Sequence, residues 1–252
     1  MNAKLKGIGL STLLAGSLSM FAAPVQAADI KVMSDSPLEP ALTKVVDLYR
    51  LQTHNRVSLV FDPSPAVKKR IEDGEAADVV IVQPDFAEDL TKSGKVSAGD
   101  RPTIAHVGIG LGNRTAGPAY DISTEEKLKN TLIGADLIVF NNVKSGQAFA
   151  NALEHLGIAE TLKPKILRTT PNGIFEPVLK GKGNDMVAGT IPLIATTPGI
   201  KLLGPLPGDL QSTLTYTAVF MANTSQRDTA EEFVKFLLSP EAKEAFAANG
   251  AR

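Results

Sequence analysis

Short β-rich runs alternate with segments whose apolar residues have helical spacing, and this alternation restricts the fold more than any other feature of the chain. The first β-rich run covers residues 30–33. The residues after it that fall on one helical face are Leu38, Ala41, Leu42, Val45, Val46 and Tyr49. The same order recurs with β-rich runs at 57–61 and 79–82, each followed by a helical segment. The pattern predicts parallel strands joined by crossover helices, and therefore an α/β fold.

A second unit of the same kind follows a Gly-spaced, β-like run at 103–112 and a polar, turn-rich stretch at 113–127. We predict two lobes of mostly parallel sheet flanked by helices. The first lobe consists of residues 28–107 plus 208–252, and the second of residues 108–207. Ligands of open α/β sheets bind beyond the carboxyl ends of the strands, so a binding cleft is expected between the lobes.

The first 27 residues have the pattern of an export signal. Lys4 and Lys6 precede a mostly apolar stretch at 8–23, and Val25-Gln26-Ala27 supplies small residues for cleavage. The apolar stretch is shorter and less apolar than the roughly 20 residues of a membrane-spanning helix, so no membrane anchor is expected. We predict cleavage after about Ala27 and a location in the periplasm.

Composition excludes several classes of function. The chain has no cysteine, so it has no disulfide, no thiolate chemistry and no lipid-modified cysteine. After the predicted signal it carries three more acidic than basic residues, a balance that does not attract nucleic acid. His54, His106 and His155 lack the spacing of metal ligands, and neither a nucleophile elbow nor a phosphate loop is present. The sequence therefore predicts no metal site and no cofactor.

Four predicted strand-to-helix junctions have polar residues at the helix start. They are Ser36-Pro37-Leu38-Glu39, which has the pattern of a capping box, Ser64-Pro65, Gln83-Pro84 and Lys144-Ser145-Gly146. Each helix start leaves backbone N–H groups unpaired at the positive end of the helix dipole, so several starts at one sheet edge would bind an anion. Capping alone also explains a serine at any single junction, and both interpretations stay open.

Polar residues near these junctions are candidate ligand contacts. Lys144 would act as a point charge for a carboxylate, although a lysine in a loop is as often simply solvated. The residues that we predict to bind the ligand are Ser36, Ser64, Gln83, Lys144, Ser145, Thr170 and Asn172.

Two stretches carry a resemblance to a known family. Residues 71–81, IEDGEAADVVI, resemble the family pattern I-x-x-G-x-x-A-D-V, and residues 236–242, FLLSPEA, resemble its C-terminal part. With the export signal and the two-lobed plan, the chain resembles the periplasmic solute-binding proteins of the molybdate-binding superfamily over nearly all of its length after residue 27. The resemblance implies a hinged fold that closes on a small anion, often for delivery to an ABC transporter.

The chain departs from the family pattern at the expected site. Ser64 matches a serine of the family's oxyanion site, but Pro37 stands at the place of the other serine and Lys144 at that of a proline. A lysine at the rim favours an organic acid as the ligand. We therefore predict a monomer that captures a small anion, an organic carboxylate or an oxyanion, and that serves an ABC transporter permease. The alternative is an enzyme, because the stretch 204–207, GPLP, resembles a branch that includes aconitate isomerase.

Overall fold

The computed structural model describes residues 28–252, so the export signal predicted at 1–27 lies outside the described residues. The strands of the described part are β1 (Asp29–Asp35), β2 (Arg56–Asp62), β3 (Val79–Val82), β4 (Thr103–Arg114), β5 (Leu137–Asn141), β6 (Ile166–Thr169), β7 (Asp185–Thr190), β8 (Ile200–Pro205) and β9 (Thr213–Phe220). Its α-helices are α1 (Glu39–Thr53), α2 (Ser64–Glu72), α3 (Pro84–Lys92), α4 (Glu125–Ile133), α5 (Lys144–His155), α6 (Ala159–Leu162), α7 (Phe175–Lys180), α8 (Ile191–Thr196), α9 (Arg227–Leu237) and α10 (Pro240–Ala248). Short 3₁₀ helices lie at Ser36–Leu38, Lys163–Lys165, Pro171–Gly173 and Gly208–Leu210.

The strands form two half-sheets that share the long strand β4. In the first half-sheet β2, β1 and β3 are parallel, and β9 pairs antiparallel with both β3 and β4. In the second, β6, β5 and β7 are parallel, and β4 pairs antiparallel with β7 and β8. The predicted α/β architecture of parallel strands flanked by helices is confirmed.

Strand β4 carries the chain from one half-sheet to the other. Residues 103–108 of β4 pair with β9, whereas residues 109–113 pair with β7. The apolar core divides at the same place, because Val107 packs in a cluster with Tyr49 while Ile109 packs in a separate cluster with Phe149. We call β1–β3, β9, α1–α3, α9 and α10 the first half, and β5–β8 with α4–α8 the second half. The exact lobe boundaries, at 107/108 and 207/208, stay a prediction.

Helices α4, α6 and α8 and strand β8 of the second half were not predicted from the sequence. The stretch 113–127 was interpreted as turn-rich, but it contains the end of β4 and the start of α4. Helix α4 has few apolar residues, and it uses Leu128 and Leu132 to cover the core while its acidic first turn faces solvent. Strand β8 and helix α8 were also missed, because each has only six residues and contains a proline or a glycine that normally indicates a turn.

Parallel pairing places several helix starts at one edge of each half-sheet. The 3₁₀ helix that leads into α1, and helices α2 and α3, begin one or two residues beyond the carboxyl ends of β1, β2 and β3. In the second half, helix α5 begins three residues beyond the carboxyl end of β5. Carboxyl ends of parallel strands share an edge, so the polar residues at these junctions come together.

Candidate functional site

A cavity of about 320 Å³ lies between the two halves, and residues of both halves line it. This volume is in the range of small-molecule sites. We call the polar lining residues of the first half the first wall: Asp35, Ser36, Ser64, Gln83 and Tyr216. Those of the second half form the second wall: Asn141, Asn142, Lys144, Ser145, Gln147, Asn172 and Thr190.

The cavity brings together most of the residues that were predicted to bind a ligand. Six of the seven line it: Ser36, Ser64, Gln83, Lys144, Ser145 and Asn172. Thr170 is exposed and is not among the lining residues, because it precedes the 3₁₀ helix whose next residues, Pro171 and Asn172, reach the cavity instead. The prediction of Thr170 as a contact is therefore not supported by its position.

Asp35 is the centre of the first wall. Its side chain is buried, with the residue only 4% exposed, and Ser64 donates a hydrogen bond from Oγ to Asp35 Oδ2. The Gln83 amide group also points at this carboxylate, with Nε2 3.5 Å from Oδ2, and the Gln83 backbone N–H donates to Ser64 Oγ over 3.3 Å. The strand-to-helix junctions after β1, β2 and β3 are thus tied together around one carboxylate.

Burial changes the acidity of Asp35. Removal from water disfavours the charged form and raises the pKa of Asp35 to about 6. The hydrogen bond from Ser64, backbone groups of Ser64 and Ser36, and the positive charge of Lys144 act in the opposite direction and limit the rise. A carboxyl group with this pKa changes its charge close to neutral pH.

The serines of the first wall do not cap helices, contrary to one of the two sequence interpretations. The predicted capping box at Ser36 is absent, since the residue before the 3₁₀ helix is Asp35 and no side chain caps that helix. Helix α2 starts at Ser64 itself, whose hydroxyl is directed to Asp35 rather than to the helix backbone. Gln83 precedes α3 and likewise makes no side-chain cap bond.

The second wall is organised by a neutral amide instead of a carboxylate. Asn141 Oδ1 accepts hydrogen bonds from the backbone N–H groups of Val143 (3.2 Å) and Gly146 (2.9 Å), and Asn141 Nδ2 donates to Ser145 Oγ (2.9 Å). Helix α5 lies so close to this residue that a Cβ atom on Gly146 would be 1.8 Å from the Asn141 carbonyl oxygen. Glycine is therefore required at position 146 for the chain to enter α5 in this way.

Lys144 links the two walls at the rim of the cavity. Its ammonium group forms an ion pair with Asp85 of α3, and Lys144 Nζ lies 5.4 Å from the centre of the Phe86 ring. The side chains of Lys144 and Asp85 are 46% and 52% exposed, so water screens this pair. Lys144 is thus held at the entrance and its charge is directed across the opening.

Three buried polar atoms of the lining have no hydrogen-bond partner within residues 28–252. They are Gln83 Oε1, Thr190 Oγ1 and the hydroxyl of Tyr216. Burial, followed by the charge of Asp35, raises the pKa of Tyr216 well above its ordinary value, and the neighbouring Gln83 side chain acts in the opposite direction. The Tyr216 hydroxyl therefore keeps its proton. Leaving a buried polar group unpaired costs about 1–3 kcal/mol, which favours a polar ligand as the missing partner.

Sequence reasoning missed Asp35, Thr190 and Tyr216. The sequence does contain an indication for Asp35, because it is a charged residue at the end of a buried strand and directly precedes the predicted junction at Ser36. The sequence gives no such indication for Tyr216 and Thr190, since each lies in a mostly buried strand where a tyrosine or threonine is an ordinary core residue.

Comparison with known proteins defines the class. A model of the family "Bacterial extracellular solute-binding protein" matches residues 30–252, and the chain belongs to this family. Within the part of the chain that the structure covers, no helix is both long and apolar enough to cross a membrane.

Three particular proteins are similar to this chain in sequence or in fold. Aconitate isomerase of a Pseudomonas species is 23% identical over 255 residues, which cover 96% of this chain and 96% of that protein. The periplasmic molybdate-binding protein of Azotobacter vinelandii has a similar fold, with a TM-score of 0.73 and 20% identity over 88% of this chain and 98% of that chain. PEB3 with bound L-phospholactate has a TM-score of 0.70 and 16% identity, and the match covers 89% of this chain and 99% of PEB3. PEB3 is a Campylobacter jejuni protein.

Proposed function

We propose that this protein is an exported, periplasmic binding protein that captures a small organic anion with at least one carboxylate in the cavity between its halves. The observation that carries the proposal is the set of unpaired buried groups in the lining, Gln83 Oε1, Thr190 Oγ1 and Tyr216 OH, below a lysine at the entrance. A bound ligand would pair these groups and remove the cost of their burial.

A carboxylate fits this lining better than a molybdate-like oxyanion does. Tetrahedral oxyanions need hydrogen-bond donors on all sides, and on the first wall the Ser64 hydroxyl and the Gln83 amide are already directed to Asp35. Of the buried donors without a partner, Thr190 lies on the second wall and Tyr216 on the first, and the cation at the rim, Lys144, belongs to the second wall. The charged end of the ligand is therefore expected at the second wall and near Lys144.

Capture by closure follows from the position of the cavity. The two halves are joined by β4 and by the segment between β8 and β9, and a ligand that contacts both walls favours the closed arrangement. Among the proteins of similar fold is the substrate-binding domain of a molybdenum ABC transporter from Clostridium difficile. On this basis the partner is proposed to be the permease of an ABC transporter, and the working form a monomer.

Thermal unfolding in the presence of candidate ligands tests the binding function. The panel contains sulfate, molybdate, dicarboxylates and tricarboxylates, each over a range of concentrations at pH 7.5. At least one carboxylate is expected to raise the melting temperature in a dose-dependent way, because a ligand that binds only the folded state stabilises it. A panel without any shift contradicts the proposal, and a shift with molybdate alone contradicts the preference for carboxylates.

Isomerisation of aconitate is the second candidate function. It is supported by the full-length similarity to aconitate isomerase and by the presence of Asp35, a carboxyl group in the lining that changes charge near pH 6. A base of this kind is suited to move an allylic proton. Purified protein mixed with cis-aconitate, and followed by ultraviolet absorbance and product chromatography, decides between binding and turnover. Conversion that Asp35→Asn abolishes supports the enzyme, and no conversion by the wild-type protein rejects it.

A further inference from the structure

Asp35 places a carboxylate in a cavity that is proposed to hold an anion. The carboxylate lines the cavity. Its partners are the Ser64 hydroxyl, backbone groups of Ser64 and Ser36 and, more distantly, the Gln83 amide. An ionised carboxylate only accepts hydrogen bonds, so it repels a ligand oxygen that is also ionised and carries no proton. A ligand that brings a hydrogen-bond donor to this place is not repelled.

We propose that Asp35 is a specificity-determining residue that accepts a hydrogen bond from a hydroxyl group of the ligand, so that the cleft selects small hydroxycarboxylates. Fully ionised oxyanions such as sulfate, and carboxylates without a hydroxyl group, are selected against. This inference rests on the proposed function of the same cavity and adds the chemical class of the ligand.

The two walls then match the two ends of such a ligand. Asp35 and the free carbonyl oxygen of the Gln83 side chain are acceptors on the first wall. Thr190 on the second wall has a free hydroxyl, and Lys144 at its rim is a cation. A molecule with a hydroxyl group at one end and a carboxylate at the other satisfies acceptors and donors together, whereas a symmetric oxyanion leaves the acceptors facing negative charge.

Selection by Asp35 depends on its charge, so a change of pH provides a test. The charged and titratable groups that face Asp35 are Lys144 of α5 and Tyr216 of β9, with Asp85 of α3 behind Lys144. Among the described residues that line the cavity, none is a histidine and Asp35 alone has a carboxyl group. With a pKa of about 6, the neutral form of Asp35 rises from roughly 3% at pH 7.5 to roughly 90% at pH 5. Sulfate keeps its charge over this range, so its affinity is expected to rise roughly thirtyfold from pH 7.5 to pH 5.

The experiment measures affinity by calorimetry for two matched ligand pairs and for sulfate. Malate differs from succinate by one hydroxyl group, and citrate differs from tricarballylate in the same way. At pH 7.5 the wild-type protein is expected to bind the hydroxyl-bearing member of at least one pair at least tenfold more tightly. In Asp35→Asn the member without a hydroxyl group gains affinity, because the neutral amide no longer repels it, and sulfate binds roughly thirtyfold more tightly than it binds the wild type at pH 7.5.

A matched control separates the local effect from a change of overall charge. Asp89→Asn also removes one negative charge, but from an exposed carboxylate on α3 that contacts Lys68 outside the cavity. It is expected to leave the affinities for all five ligands unchanged. Circular dichroism and the melting temperature establish that both variants are folded, and if Asp35→Asn does not fold, the pH series of the wild type decides.

The outcomes distinguish this inference from the proposed function. Carboxylates that bind without preference for the hydroxyl group, or sulfate affinity that is equal at pH 5 and pH 7.5, overturn the role of Asp35 and leave the binding function standing. A folded Asp35→Asn variant that gains no affinity for sulfate overturns it as well. If no ligand binds at either pH, the proposed binding function fails and the inference fails with it.

Discussion

The helix starts at the two walls of the cavity are organised by different side chains, a carboxylate on the first wall and an amide on the second. On the first wall the charged side chain of Asp35 collects a hydrogen bond from Ser64, whereas on the second wall the neutral amide of Asn141 collects those of Val143 and Gly146. The first wall therefore already contains a negative charge, and the second wall carries the cation, Lys144. The two halves are therefore not equivalent, and the proposed anion is expected to enter with its negative end toward the second wall.

The stability of each wall depends on a different physical property. The first wall depends on protonation, because a buried carboxyl group is charged or neutral according to pH. The second wall depends on packing, because Gly146 has no side chain and α5 can therefore lie directly against the backbone of Asn141.

Gly146→Ala is expected to have the largest effect. The added Cβ would lie 1.8 Å from the Asn141 carbonyl oxygen, so the backbone must move and the start of α5 is displaced. Such overpacking against backbone costs about 3 kcal/mol, measured as the free energy of unfolding in urea. Gly134→Ala is the matched control, because a Cβ there has only an ordinary contact of 3.5 Å with Asn130 O. The control is expected to change stability by less than about 1 kcal/mol, and equal losses for both variants would contradict the packing argument.

The stability of the empty protein should depend on pH through Asp35. Burial raises the pKa of Asp35 to about 6 from the 3.8 of an unburied aspartate, so the folded protein holds this proton to higher pH than the unfolded chain does. The stabilisation that comes from the bound proton is complete below about pH 4 and is lost as the pH rises to about 6. The loss is on the order of 3 kcal/mol.

Asp35→Asn isolates this contribution from that of other carboxylates. The free energy of unfolding of the variant, relative to that of the wild type, is expected to rise by a similar amount between pH 4 and pH 7 and to change little above pH 7. Denaturant unfolding at several pH values measures the difference. A constant difference between the two proteins over this range would mean that Asp35 is not a protonated, buried group in the folded state at low pH.

Much of the fold could be predicted because it depends on patterns that are local in the sequence. The runs that became β1, β2, β3, β5, β7 and β9 are apolar and β-rich, and each is followed by a helical face or a turn. Strand β8 and helix α4 could not be predicted, since β8 is only partly buried along its length and α4 is mostly polar. Their structure is decided by contacts with β4 and with the core of the second half, which are distant in sequence.

The candidate site was predictable in part, for the same reason. Topology alone places helix starts at one edge, and six of the seven predicted residues line the cavity. What each side chain does there was not predictable, because the partner of Ser64 is Asp35, 29 residues earlier. The unpaired hydroxyl of Tyr216 comes from an antiparallel strand that returns late in the chain, so no spacing in the sequence relates it to the junctions.

Lys144→Ala is expected to have the smallest effect on stability and a clear effect on binding. The pair with Asp85 is half exposed, so its loss costs about 0.5 kcal/mol, and the melting temperature of the empty protein should be nearly unchanged. Affinity for a carboxylate that binds the wild type should fall roughly tenfold, because a cation at the entrance is lost. Lys92→Ala, which removes a more exposed pair with Glu88 on the same helix as Asp85, should change neither quantity. A large fall in the melting temperature of Lys144→Ala with unchanged affinity would mean that the lysine holds the two walls together and does not contact the ligand.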